Sequence, residues 1–478
     1  MTRRLSIVDF AFFVLETAER PMNVGPLIVL NPPPQRGPGR FADKLYQRMM
    51  QRPVGAPFNL RLQEPSLTSL PSLVPDPAFD LAQHVHRITL RKPGTIHALL
   101  AKVCELHPQR LDRSRPLWEF YLIDGLEGGK VALYAKMHHG VVDGAGFVKI
   151  ILRWLSASPK DRVVRAMWEG VEGATAVRRE QDSLARRVGK LLRMGAGTAR
   201  TALSFSQLLW QQGKTTLGAG AGVPLPFVRT SGALKAPPSA RRSFAHCALP
   251  LGQVKALGKT RDATVNDMLL TVLDIALIRY LKRKHAAPAK ALVADMPVAL
   301  GAGGSGGNRI AMVQLPLGAP NLDPVERLEA IAARTRAVKG QLHGGAGDAA
   351  MLHSILTHGL PSLWEALRLH DAPLLANLVV SNPFGFADKR YLMGAEVDLV
   401  LPISVVAPGQ VLNVTAVNYV DRYQIAFLAI AEAVPDIVLL ARYTEEAFAT
   451  LAAGLGGDGR KRRSPGRATS SRRRKEPR

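Results

Sequence analysis

Residues 117–124 and 131–137 are two apolar runs on either side of Gly128-Gly129. Both alternate at the period of a strand, and the glycines supply the turn between them. The second run leads straight into Lys136-Met137-His138-His139-Gly140-Val141-Val142-Asp143-Gly144, after which residues 144–155 return to helical spacing. A strand that ends in two histidines and turns through glycines into a helix points to a mixed α/β fold.

The remaining segments agree with that class. Residues 24–30 read as a strand before the turn Pro32-Pro33-Pro34. Ile96, Leu99, Leu100, Val103 and Cys104 recur at helical spacing within 95–107. Residues 266–282 read as a helix with Asp262 or Thr264 as cap, and 323–342 as another. Strands are expected at 291–300, 310–317 and 376–381. Residues 399–420 contain Pro402, Pro408, Gly409, Gln410 and Asn413, so they read as two buried strands around Pro408-Gly409 rather than a membrane helix. No repeat of 20–50 residues is visible. The expected segments are a first half at 1–155, a basic connector at 156–240, a second half at 241–456 and a disordered basic tail at 457–478.

Composition narrows the function. The chain has 478 residues, is 47% apolar and carries a net charge of +25, which excludes wholesale disorder. Two separated cysteines, Cys104 and Cys247, exclude a disulfide scaffold and cysteine-based zinc or iron–sulfur sites. Arg3 and Arg4 precede apolar residues, but Asp9 and Glu16 break the run, so this segment reads as part of the folded domain. Positive charge concentrates in the connector and the tail, each at +8. The connector includes an amphipathic basic stretch at 178–194, then the loose glycines 218–222 and Pro224, Pro226, Pro237 and Pro238. Such charge suits an acidic membrane surface or nucleic acid, and equally a solubilising tail.

Three motif matches fail on context. Gly301-Ala302-Gly303-Gly304-Ser305-Gly306 satisfies G-x-G-x-x-G, and residues 303–307 satisfy G-x-S-x-G. Both motifs need a helix after the glycines, whereas a strand-like run follows here. His138, His139 and Asp143 do not make a metal site, because adjacent strand residues point to opposite faces.

The histidine pair is the feature with chemistry in it. An imidazole can be neutral near physiological pH and accept a proton, and a strand end is a rigid place from which to aim it. Taken alone, such a pair reads more readily as two structural histidines at a strand terminus.

The spacing H-H-x-x-x-D-G resembles the signature of the acyl-CoA-dependent acyltransferase superfamily, which includes chloramphenicol acetyltransferase, carnitine acyltransferases and nonribosomal-peptide condensation domains. Further blocks resemble the bacterial wax ester synthase/diacylglycerol acyltransferase family over about residues 1–455. They are Leu5-Ser6 to Asp9, Phe12 to Thr17, Pro21-Met22-Asn23-Val24-Gly25, the stretch from Leu111 through Pro116-Leu117-Trp118 to Glu119, Ala263 to Asp267, Met296-Pro297-Val298, Gly307-Asn308 and Ser381-Asn382.

The resemblance implies two chloramphenicol-acetyltransferase-like halves with a tunnel between them. It implies His139 as general base beside His138, with Asp143 structural and Gly144 allowing the turn. Pro116, Leu117 and Trp118 would shape a substrate pocket. Asn266 and Asp267 would start a helix lining the tunnel, and Ser381 and Asn382 are further substrate-side candidates. The expected substrates are acyl-CoA and diacylglycerol or a long-chain alcohol, with no cofactor and no metal. A monomer should suffice, since the tunnel forms within one chain. The expected location is the cytoplasmic side of a membrane or a lipid inclusion, held peripherally. A carrier-protein-dependent condensation enzyme and a non-enzymatic polyanion-binding protein are the competing readings; the second leaves the histidine motif unexplained.

Three departures stand out. The family usually has His at Asn23 and Arg at Gly301, for which Arg309 is a conceivable substitute. Its S-N-V-P-G-P block is here Ser381-Asn382-Pro383-Phe384-Gly385-Phe386.

Overall fold

The computed structural model describes residues 3–5, 7–34, 38–63, 71–142, 150–170, 234–299, 310–343, 347–369, 372–383 and 385–461, with single positions at 210, 212, 214 and 230. Asp143, Gly144, the 178–194 stretch, the 301–307 glycines, Arg309, Phe384 and residues 462–478 lie outside them.

In chain order the first elements are α1 (Ile7–Leu15), β1 (Asn23–Asn31), α2 (Pro38–Met50), β2 (Val85–Thr89), α3 (Ile96–Leu106), β3 (Trp118–Asp124) and β4 (Val131–His138). They are followed by β5 (Arg242–Pro250), α4 (Val265–Arg283), β6 (Val293–Ala299), β7 (Ile310–Pro316), α5 (Pro324–His343) and α6 (Gly347–Ala366). The chain closes with β8 (Leu378–Ser381), β9 (Ala395–Ile403), β10 (Leu412–Tyr419), β11 (Arg422–Ile430) and α7 (Ile437–Lys461).

Two mixed sheets result. The first has the order β9-β1-β4-β3-β2, extended past β9 by the short strand Tyr391–Leu392. The second has the order β7-β6-β8-β10-β11-β5. The two strands expected around Pro408-Gly409 are β9 and β10, but they enter different sheets. β9 pairs antiparallel with β1, while β10 pairs with β8 and β11. A strand from the second half of the sequence therefore completes the first sheet.

Strand β4 shows how the halves share a core. Its residues alternate between two apolar clusters: Ala132 and Tyr134 join the cluster of the second sheet, while Val131, Leu133, Ala135 and Met137 join the cluster under α2. Both faces are covered, which is why the strand reads as an almost unbroken apolar run. Helix α4 is buried on nearly every side, from Met268 to Leu281. It starts with a capping box in which the Thr264 side chain accepts from Asp267 N and the Asp267 carboxylate accepts from Thr264 N. The last helix, α7, runs to Lys461, five residues into the expected tail. A helix already propagating gains a hydrogen bond for each added residue without needing an apolar partner.

Gly25 lies on β1 against β4; a Cβ there would lie 1.5 Å from the Ala135 carbonyl oxygen. Gly359, inside α6, has nothing within 4 Å of the same position. Gly25→Ala is therefore expected to destabilise the chain by about 3 kcal/mol or more, through overpacking between two strands. Gly359→Ala is expected to stabilise it by roughly 0.5–1 kcal/mol, through helix propensity. Denaturant melts of the two variants test this, and equal effects would contradict the close approach at Gly25.

Candidate active site

The histidine pair sits at the end of β4, held in the ladder. His138 pairs with Asn23 across β1, and its backbone N donates to Leu117 O at 3.0 Å. The His139 backbone N donates to Met22 O at 2.8 Å. The two rings then diverge onto neighbouring phenylalanines of α1. His139 stacks on Phe12 at 3.8 Å and is half-buried. His138 stacks on Phe13 at 4.1 Å and is 1% exposed. Gly140 makes room for this: a Cβ there would fall 2.4 Å from the Phe13 ring.

The buried histidine is neutral. Burial pushes the His138 pKa down to about 3, and the positive charges of Arg113 and Arg110, with His139 nearby, push the same way. Its Nδ1 accepts from the backbone N of Gly140 at 3.1 Å, which places the proton on Nε2. That nitrogen faces the Glu16 carboxylate at 3.7 Å. Glu16 is itself buried and is held by Arg113 at 2.9 Å and Arg110 at 3.4 Å. Arg113 also lies over the Phe13 ring. His138 therefore braces the turn that presents its neighbour.

Behind the pair, three carbonyls at the end of α3 receive donors from the same sheet face. Lys136 Nζ donates to Leu106 O and Gln109 O, and the Asn23 amide donates to His107 O and Gln109 O. A cation here suits the negative end of the helix. Burial draws Lys136 below its ordinary range, and the Glu119 carboxylate 2.6 Å away opposes that. His107 is buried between Tyr134 Oη at 2.7 Å and Ser404 O at 3.1 Å, and burial pushes its pKa down to about 3.

The other candidates from the sequence are placed as follows. Pro116 and Leu117 are buried at the start of β3, next to the pair through the Leu117 carbonyl. The Trp118 indole is 2% exposed; it donates to Phe58 O at 2.7 Å and stacks on His84. Asn266 is half-buried on the first turn of α4, with its amide 4.0 Å from Met296 Sδ. Asp267 is occupied by the capping box and by Thr335, which donates to it at 2.6 Å. Ser381 ends β8 half-buried, and Asn382 is exposed. Glu16, Arg110 and Arg113 join the site without a motif to mark them. The one signal in the sequence is that Glu16 interrupts an apolar run; in the fold it is 8% exposed. Among the described residues no group of His, Cys, Asp and Glu is placed to hold a metal ion.

The histidine pair thus ends a central strand of the first mixed sheet, which a strand from the second half of the sequence completes. Residues 5–269 match the wax ester synthase/diacylglycerol acyltransferase catalytic domain, and residues 306–452 match the WS/DGAT C-terminal domain. The chain belongs to this family and is an acyltransferase. It is 32% identical over 462 residues to a probable diacylglycerol O-acyltransferase of Mycobacterium tuberculosis, covering 94% of this chain and 96% of the relative. A putative diacylglycerol O-acyltransferase of Mycobacterium bovis is 31% identical over 450 residues, covering 91% and 88%. The solved wax ester synthase/diacylglycerol acyltransferase of Marinobacter aquaeolei VT8 superposes with a TM-score of 0.71 at 26% identity, covering 95% of this chain and all of that one. The first condensation domain of the calcium-dependent antibiotic synthetase superposes with a TM-score of 0.56 at 15% identity, covering 95% and 96%, and shares the fold.

His138 and His107 bind fewer protons in the folded state than their ordinary pKa near 6.5 gives the unfolded chain. Stability should therefore fall as pH drops from about 6.5 toward 3, by about 1.4 kcal/mol per histidine per pH unit. His358, raised above its ordinary value, works in the opposite sense as pH rises. Denaturant midpoints across pH 5–7.5 test this: His138→Gln should flatten the acid slope, and an unchanged slope would contradict the buried neutral state.

Proposed function

We propose that this acyltransferase moves a fatty acyl group from acyl-CoA to the hydroxyl of diacylglycerol or a long-chain alcohol, with His139 as general base. His139 takes the hydroxyl proton as the oxygen attacks the thioester carbonyl. The new C–O bond forms, the C–S bond breaks, and the proton passes to the departing CoA thiolate. The products are triacylglycerol or wax ester and free CoA. The observation that carries this reading is the contrast within the pair: His138 is buried and neutral, whereas His139 is half-buried on a backbone fixed by the Met22 carbonyl.

The remaining assignments follow the family pattern. Asp143 holds the turn, and Gly144 allows it. Pro116, Leu117 and Trp118 support the pocket wall beside the pair; Asn266, Ser381 and Asn382 face substrate from the second half, and Asp267 fixes the start of the helix that carries Asn266. The halves at 1–155 and 241–456 work as one monomer, joined by the basic connector at 156–240.

Release of CoA from acyl-CoA, measured with a panel of alcohols, tests the reaction. His139→Ala should lower turnover by roughly 10²–10⁴-fold while the protein stays folded. His138→Ala should keep more turnover and melt earlier, since it removes a packed ring. Near-wild-type turnover by a folded His139→Ala variant would remove His139 as the base.

The acceptor lipids reside in membranes, and we place the enzyme peripherally on an anionic cytoplasmic membrane face or lipid inclusion. Among the described residues no helix is long and apolar enough to cross a membrane. The net charge of +25 favours an anionic surface, each Lys or Arg contributing about 1 kcal/mol there. Because α7 runs to Lys461, the informative truncation removes 462–478. That protein should keep its turnover on soluble alcohols and co-sediment less with phosphatidylserine vesicles at low salt, the difference vanishing at high salt. Identical binding curves would exclude the tail from membrane contact.

A further inference from the structure

The turn between α1 and β1 is gripped by the second half of the molecule. Arg20 is 1% exposed. Its Nε and Nη2 donate to the two carboxylate oxygens of Glu365 in α6, at 3.1 and 2.5 Å, and its Nη1 donates to Gln410 O at 2.7 Å. Glu365 also accepts from Gly409 N at 2.7 Å, so it ties α6, the segment between β9 and β10, and Arg20 together. The Gln410 amide donates to Asp295 on β6 at 3.2 Å. Asp295 is fully buried and further held by Gln314 at 2.9 Å and His358 at 2.7 Å. From β5, Arg242 Nη2 donates to the Glu19 carbonyl at 3.3 Å.

On its other side the turn reaches the histidine pair. Thr17 N donates to Arg20 O and Arg20 N to Thr17 Oγ1, closing the turn locally. Two residues after Arg20, the Met22 carbonyl accepts from His139 N at 2.8 Å, and Met22 N donates to Glu16 at 3.4 Å. The separation between gripped residue and held residue is two peptide units, one of them the peptide to Pro21, which restricts φ there. An arginine is required at position 20, because three donors leave one planar fork in fixed directions; a lysine offers a single ammonium that cannot span both partners.

We propose that Arg20 is a positioning residue for His139. Docking of the second half on Arg20, through Glu365 and Gln410, sets the Met22 carbonyl and with it the His139 backbone. The catalytic geometry of the first half thereby depends on a contact made by the second. The inference rests on His139 as the base.

A double-mutant cycle separates positioning from mere stability. CoA release is measured for the wild type, Arg20→Met, His139→Ala and the double variant, with melting temperature alongside. Arg20→Met should lower kcat by about 10–100-fold, the scale of a misplaced catalytic group, with KM for acyl-CoA nearly unchanged. In the His139→Ala background the same substitution should change kcat by less than roughly twofold, because the group it positions is gone. Its effect on melting temperature should be the same in both backgrounds. Equal fold losses in both backgrounds, or no loss in either, would overturn the proposal. If Arg20→Met does not fold, Glu365→Gln keeps the volume, removes the charge and runs through the same cycle with the same expectations. The His139→Ala single variant is read on its own: if it stays active, the base assignment fails and this proposal with it, which differs from an inactive His139→Ala combined with an additive Arg20→Met.

Discussion

The antiparallel register of β1 on β4 is the contact on which the site depends. It sets Asn23 opposite His138 and the Met22 carbonyl against the His139 amide. It also brings Gly25 against the Ala135 carbonyl, a fit that only glycine allows. Strand side chains alternate, so a slip of one residue would exchange the faces of the whole strand. His138 would turn away from Phe13 and Glu16, and its neighbour would enter the buried position. Both faces of β4 belong to apolar clusters, so apolar burial alone does not fix the register, and the close fit at Gly25 and the polar contacts of Asn23 and His138 do.

Side-chain donors meet the buried backbone carbonyls around this ladder, whereas Asn23 Oδ1, Arg113 Nε and His138 Nε2 make no hydrogen bond among the described residues. At the end of α3, the Asn23 amide uses both its hydrogens on two carbonyls. A neutral imidazole at this place, the usual family residue, carries one N–H and serves one of them. The departure at Asn23 thus has a local function: it closes the helix end that Lys136 also caps. Glu16 is the corresponding hub on the other side, with two arginines and the Met22 amide around it. Removing the Asn23 amide would leave the buried His107 carbonyl without that donor, which costs more than the net value of one hydrogen bond.

Much of this was legible in the sequence because it is local. Strand alternation at 117–124 and 131–137, the Thr264 cap and the helical spacing at 96–106 are set by neighbouring residues, and the structure follows them to within a few positions. The destinations of β9 and β10 were not legible. Both are apolar runs beside a Pro-Gly turn, and whether they pair with each other depends on β1, almost 400 residues earlier in the chain. Helix α6 is hard to see in the sequence because Gly347, Gly359 and Pro361 interrupt its pattern. At the site, the histidine motif stood out by spacing, whereas Glu16 and Arg20 acquire meaning only from partners distant in sequence. Asp267 illustrates the converse: its position in a recurring block marked it as a site residue, and the structure shows its carboxylate occupied by the helix cap and Thr335.

Two adjacent and chemically identical side chains have been given opposite environments, and the first explains the second. His138 has its Nδ1 on the Gly140 amide and its ring on Phe13, so it cannot serve as a base without dismantling the turn. Its depressed pKa keeps it neutral through the physiological range, which avoids a second positive charge beside His139. Phe12 and Phe13 on α1 stack one on each ring, so the helix and the ladder together limit how the two rings can turn. Orientation and charge are therefore set by the same few residues, all within the first half, apart from the grip on Arg20 that the second half supplies.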